Sequence, residues 1–184
     1  RLKCIEGYAA LGDLDSLKRY LKVINRDILG IKTTNIVNSD FKKVPMLYGM
    51  LLPKLSMAEL KGITFDVSLQ SEADTRYCTV ADYSRMVGIL LNNALEAADK
   101  SAEKLVTLEI TSSRSRQHIS VINSVDAPVD TGRIFDSGYS TKPGHDGQGL
   151  RVVRSLIQKY RKRGYDMELV SSNEEVRFSQ LLII

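Results

Sequence analysis

Three stretches of this sequence hold side chains whose chemistry goes beyond simple packing. The first is Leu90-Leu91-Asn92-Asn93-Ala94-Leu95-Glu96-Ala97-Ala98, where two carboxamides interrupt an apolar helical run. Such groups are costly to bury unless they are hydrogen-bonded or ligated. The neutral oxygen of Asn93 or Asn92 suits a magnesium ion beside a polyphosphate, since magnesium keeps its waters and phosphate oxygens and takes few protein ligands. The second stretch is Gly147-Gln148-Gly149-Leu150, a glycine pair that opens a helix. Glycine lets a ligand approach the backbone closely, and the unpaired amides of a helix N-terminus favour phosphate. The third runs from Phe135 to His145 and contains Tyr139-Ser140-Thr141-Lys142. Its hydroxyls, lysine and flexible glycines fit a lid over a triphosphate, with Lys142 as a compact cation for the terminal phosphates.

Each stretch also has a plainer reading. Asn92 and Asn93 suit the polar side of an amphipathic helix, a GxG pair suits any loop-to-helix turn, and residues 135–145 suit a surface loop. Their order is what favours chemistry: an Asn-bearing helix, two strands, a Lys-bearing loop and a glycine pair opening another helix.

The elements that must position these groups follow from periodicity. Residues before Gly12-Asp13 read as helix, and Asp15 is the expected N-cap of a second one. A further helix starts near Pro45 with the stripe Leu47, Met50, Leu51, Leu55 and Ala58, and Pro53 is expected to kink it. A helical hairpin of this kind needs a partner for its apolar face, most simply a second copy. At Gly62 the period becomes two, with Ile63, Phe65, Val67 and Leu69 predicting a half-buried strand. Thr79 and Asp82 resemble a helix N-cap pair. The helix after them shows Tyr83, Val87, Leu90, Leu91, Ala94 and Ala98 on one face. Strands are expected at Leu105–Thr111 and His118–Asn123, with Ile119 and Val121 inward. Residues 124–148 form a long loop of the kind that is usually functional. A helix carrying Leu150, Val153, Ile157 and Tyr160 follows, then strands at Met167–Val170 and Arg177–Ile184. The expected fold is α+β, a helical hairpin followed by a sandwich of antiparallel strands with helices on one face.

Composition sets outer limits. The 184 residues are 43% hydrophobic and 26% charged, which excludes a disordered or collagen-like chain. The net charge of +4 is too small to mark a nucleic-acid binder, and the basic run Lys159–Arg163 reads as a solvated helix end. Cys4 and Cys78 lie too far apart for a metal or disulfide pattern, as in a reducing compartment. No apolar run reaches the roughly 18 residues of a membrane helix. The first residue is Arg1, which reads as part of a longer protein.

Taken in order, these motifs resemble the ATP-binding domain of sensor histidine kinases, within the GHKL superfamily of gyrase, heat-shock chaperone and mismatch-repair ATPases. Asn92-Asn93-Ala94-Leu95-Glu96-Ala97 is similar to the N-box. Tyr139-Ser140-Thr141-Lys142 followed by Gly147-Gln148-Gly149-Leu150 is similar to the lid and second glycine box. The nearest likeness is to the peptide-pheromone quorum-sensing, or Agr-type, branch, through GILLNNALEAA, IFDSGYSTK and GHDGQGL. Upstream, Gly12-Asp13 and Pro53-Lys54 through Gly62-Ile63 resemble that branch's dimerisation region.

The resemblance implies a GHKL-type α/β sandwich over residues 62–184 and a dimerisation and phosphotransfer region over residues 1–61. It implies ATP and Mg2+ as cofactors, with Asn93 on the metal, Asn92 beside it, Ser140, Thr141 and Lys142 over the phosphates, and Gly147 and Gly149 against the nucleotide. Ile89 stands where many such kinases have a further Asn, and Asn92 where an Asp is usual. No DxGxG box follows Asn123, as is common in the Agr-type branch, leaving Asp126 and Asp130 as candidates for its adenine-binding acid. The acceptor histidine would lie on the first dimerisation helix, upstream of Arg1. His118 falls on a predicted strand and His145 in the lid. The implied partners are a second copy through the N-terminal helices and a response regulator, with no nucleic acid. The implied location is the cytoplasmic side of the bacterial membrane, with the full-length protein anchored there. The alternative is a non-catalytic relay or scaffold with a degenerate ATPase domain that docks a response regulator. A serine kinase of the same superfamily fits less well, because those proteins lack the helical hairpin.

Overall fold

The computed structural model describes residues 10–13, 15–16, 45–70, 76–113, 115–134 and 148–184. Contacts divide the chain into two compact units, residues 1–34 and 35–184. In the first, Gly12 takes a left-handed φ of 65°, and the Asp13 carboxylate accepts a hydrogen bond from the Ser16 amide at 2.9 Å. Asp15 is already helical, so Asp13 takes the capping position that the sequence reading gave to Asp15. The cap accepts from an amide three residues on, and the side chain of Asp13 does this.

The second unit begins with helix α1 (Pro45–Leu60), which runs uninterrupted through Pro53. It ends in a Schellman turn, with Ile63 N–H bonded to the Ala58 carbonyl at 2.8 Å and Gly62 N–H to Glu59 at 3.0 Å. Gly62 supplies the positive φ, 65°, that this turn requires. The turn feeds strand β1 (Thr64–Leu69), and helix α2 (Val80–Lys100), strand β2 (Leu105–Ser112) and strand β3 (Gln117–Ser124) follow. Helix α3 (Gln148–Arg161), strand β4 (Glu168–Glu174) and strand β5 (Arg177–Ile183) complete the unit.

The five strands form one sheet in the order β1-β2-β3-β5-β4. β1 pairs with β2 in parallel across the α2 crossover, and the other neighbours are antiparallel. One face of the sheet is the core face. Phe65 and Val67 of β1, Val106 and Leu108 of β2, and Ile119 and Val121 of β3 are all buried on it. The predicted apolar face of α2 is buried throughout and is joined by Met86 and Leu95. The sandwich expected from the sequence is therefore present, with helices on one side of a mainly antiparallel sheet.

The stripe on α1 is covered within the same unit. Leu51 and Ala58 are fully buried, and Met50 and Leu55 pack on the core. The sequence reading left this stripe for a second copy of the chain. Among its described residues, the stripe packs on the chain's own sandwich, with α1 lying against α2 and β1. Among the described residues, no helix is long and apolar enough to cross a membrane.

Candidate functional site

Helices α2 and α3 pack antiparallel, and both ends of their contact are fixed. At the start of α2, Thr79 caps the helix, its hydroxyl accepting from the Asp82 amide at 3.2 Å. The Asp82 carboxylate in turn accepts from Lys159 Nζ at 2.7 Å and from the Tyr160 hydroxyl at 2.6 Å. Tyr160 closes the ring by accepting from the Thr79 amide at 3.0 Å. Hydrogen bonds from Lys159 and then Tyr160 hold the Asp82 carboxyl below the usual carboxylate range.

At the other end, Gly149 in the first turn of α3 lies against Ile89 and Asn93. A methyl group at Gly149 would stand 3.1 Å from Ile89 Cγ2 and 3.8 Å from Asn93 Oδ1. The approach is tighter than ordinary packing, so a side chain there would make its neighbour yield by a few tenths of an ångström. Asn93 is half-buried on α2, and it presents its amide to the end of α3 where backbone N–H groups have no helical partner. A neutral oxygen thus meets the opening turn of α3 at one point, an arrangement suited to a metal-bound polyphosphate.

Asn92 faces elsewhere. It is exposed, and its Oδ1 accepts a hydrogen bond from Lys54 Nζ on α1. Burial pushes the Lys54 amine below its usual value, and the nearby Glu96 carboxylate partly offsets this. One turn of α2 therefore presents Asn93 to α3 and Asn92 to α1. Ser140, Thr141, Lys142 and Gly147, like His145 and Cys4, lie outside the described residues. His118 is exposed on β3, and Cys78 is buried.

The two acids proposed for the adenine position are engaged in local structure. Asp126 accepts from the Ala102 amide at 2.9 Å, and Asp130 from the Gly132 amide at 3.1 Å, both at exposed sites. The segment carrying them is pinned to β4: Asn173 accepts from Val129 N–H at 2.9 Å and donates to its carbonyl at 2.8 Å. Sequence reasoning passed over Asn173 and Gln180, and named Lys54 only within the segment that resembles a dimerisation region. Gln180 had a legible signal, as a polar residue in phase with Phe178 and Leu182 on the buried face of a strand.

The chain's fold is that of histidine kinase catalytic domains. The catalytic domain of the histidine kinase ThkA, nucleotide-free, superposes with a TM-score of 0.61 at 19% identity, over 76% of this chain and 90% of that one. Full-length ShkA in complex with AMPPNP gives 0.60 at 17% identity, over 76% of this chain and 28% of that one. The Acinetobacter baumannii histidine kinase AdeS gives 0.59 at 14% identity, covering 96% of this chain and 81% of its own. No curated protein sequence matches the chain. The model of the GHKL domain family matches residues 78–183, more than half of the sequence and every element from α2 to β5. The chain belongs to the GHKL domain family.

Proposed function

We propose that this chain is the ATP-binding and dimerisation part of a two-component sensor histidine kinase of the Agr-type branch. Mg-ATP binds where α2 meets the N-terminal end of α3. The reading rests on one observation above all, the Asn93 carboxamide facing Gly149 at the opening of α3. Asn93 offers a single neutral ligand to magnesium, and Gly149, with Gly147, brings backbone amides to the phosphates. Ser140, Thr141 and Lys142 close over the terminal phosphates, and Asn92 ties this turn of α2 to α1. Bound magnesium supplies charge neutralisation on the phosphate oxygens. The protein's own part is to hold the γ-phosphoryl in line with a histidine on the dimerisation helix, a transfer that depends on positioning more than on covalent help.

On this reading residues 1–61 serve dimerisation and phosphotransfer, and residues 62–184 bind ATP. Two copies pair through the N-terminal helices, a response regulator receives the phosphoryl group, and the full-length protein is membrane-anchored. Titration with Mg-ATP, read as thermal stabilisation, tests the core of it. The wild type is expected to be stabilised, and Asn93→Ala to lose at least about tenfold in affinity, on the order expected for a lost ligand contact. No stabilisation at millimolar Mg-ATP would overturn the reading. It would favour the relay or scaffold alternative, which the missing DxGxG box after Asn123 supports.

A further inference from the structure

Among the described residues, two buried polar atoms have no hydrogen-bond partner: Nε2 of Gln180 on β5 and Oγ of the half-buried Ser171 on β4. Gln180 is only 2% exposed. The two residues are directly paired in the β4–β5 ladder, so their side chains stand together on one face. That face is the core face, because Gln180 is in phase with the buried Phe178 and Leu182 and pairs across to the buried Val121. Buried polar groups are nearly always satisfied, so two neighbouring orphans on one face call for an explanation.

Their position is fixed by contacts along α2. Tyr83, near the start of α2, donates to Gln117 at the start of β3 at 3.0 Å. Just beyond the end of α2, Ser101 meets Ser124 at the end of β3 at 2.6 Å. Helix and strand therefore run the same way. Asn93 lies about 15 Å past Tyr83 at the helical rise, and Val121 about 13 Å past Gln117 at the strand rise. Asn93, Val121, Gln180 and Ser171 are thus at one level of the sandwich. β5 lies between β3, which α2 covers, and β4, which α3 covers. The orphan pair accordingly forms the floor beneath the α2–α3 seam, at the height where Gly149 opens α3. The Asn173–Val129 bonds hold the segment after β3 against β4, two residues along from Ser171.

We propose that Gln180 and Ser171 bind the base of the nucleotide. This deepens the proposed function and rests on it. A carboxamide places one donor beside one acceptor, the pattern that matches the amine and adjacent ring nitrogen of adenine. The Ser171 hydroxyl adds a second donor or acceptor at the same edge. Asp126 and Asp130 lie exposed at the surface, each already accepting from a backbone amide, whereas Gln180 is buried on the core face.

The test compares Mg-ATP with Mg-tripolyphosphate, which carries the phosphates without the base. Calorimetric titration of the 184-residue chain would use the wild type, Gln180→Leu, Ser171→Ala and Asn93→Ala. Gln180→Leu is expected to bind Mg-ATP about tenfold or more weakly, as for a lost bidentate base contact, with its tripolyphosphate affinity unchanged. Ser171→Ala should show the same selectivity at smaller amplitude, and Asn93→Ala should weaken both ligands. Without ligand, Gln180→Leu should melt no lower than the wild type, since it removes an unsatisfied donor. Undiminished Mg-ATP binding by Gln180→Leu and Ser171→Ala, with the wild type binding normally, overturns this inference alone. Equal loss of both ligands together with a lowered melting temperature also overturns it, by showing a structural role. A wild type that binds neither ligand overturns the proposed function and this inference with it.

Discussion

Asp82 and Tyr160 meet at 2.6 Å, joining the start of α2 to the end of α3, and eleven residues away along each helix Asn93 meets Gly149. The equal spacing shows that the two helices pack in antiparallel register from end to end. A polar clamp at one end thereby fixes the amide and the glycine at the other.

The clamp gives the fold an acid-sensitive component. The Asp82 carboxyl is held below its ordinary value by Lys159 and Tyr160. The folded state therefore binds a proton less readily than the unfolded chain. This stabilisation is fully present above the unfolded aspartate value of about 3.9 and is lost as pH falls through the lower folded value. Asp82→Asn should cost about 1–3 kcal/mol at neutral pH, as for hydrogen bonds to a charged group. It should also flatten the acid limb of a melting-temperature profile taken from pH 7 to pH 2. An unchanged acid limb would show that the carboxylate does not carry the clamp.

The contact between Gly149 and Ile89 makes a second test possible. A Cβ at residue 149 would stand 3.1 Å from Ile89 Cγ2, closer than ordinary packing, so Gly149→Ala must shift Ile89 or the start of α3 by a few tenths of an ångström. Helix propensity favours the alanine by up to about 1 kcal/mol, so stability should change little. Mg-ATP affinity should fall several-fold, roughly the effect of a sub-kcal to 1 kcal/mol misfit. Ile89→Ala removes the obstructing methyl and should restore affinity in the double variant, with a coupling of about 0.5–3 kcal/mol in the cycle. Additive losses would mean the approach does not matter for binding.

Much of this arrangement was legible in the sequence. The face of α2 was readable because Tyr83, Val87, Leu90, Leu91, Ala94 and Ala98 follow a 3.6-residue period, and all are buried. The strands were readable from alternation, and Thr79 and Asp82 from capping chemistry. Partners beyond the local chain were not legible. Nothing in the stripe Leu51 to Ala58 says whether it meets another copy or its own sheet, since both bury the same methyl groups. Asn92 and Asn93 are adjacent in sequence but turned about 100° apart on a helix, so one pattern concealed two directions. The sequence reading chose Asp15 as the cap, but Asp13 has the same capping chemistry, and the bond to Ser16 decides for Asp13.

Because Leu51 is fully buried within one chain, it offers a test of what covers α1. Leu51→Ala should lower stability by about 2–5 kcal/mol, the usual cost of a buried leucine truncation. If the stripe is satisfied within the chain, the loss in melting temperature should be the same at low and high protein concentration. A loss that shrinks as concentration rises would show that this residue is buried between copies instead, as in a dimer whose stability depends on protomer concentration.

Lys54 joins α1 to the turn of α2 that carries Asn93, which makes it the link between helix and cleft. Its amine is held below its usual value because burial disfavours the charged form. In the window between the lowered folded value and the unfolded value of about 10.4, the unfolded chain binds more protons. Stability from this group therefore rises with pH through that window. Lys54→Met keeps the aliphatic stem and removes both the charge and the bond to Asn92. Compared with the wild type between pH 7 and pH 10.5, the variant should lack this upward contribution, so the difference between them should move in favour of the wild type as pH rises. Losing the bond also frees Asn92 and loosens the turn, so Mg-ATP affinity should fall a few-fold at neutral pH, on the order of 1 kcal/mol. A variant with the pH dependence changed and affinity intact would show that α1 is docked on the helix without acting on the cleft.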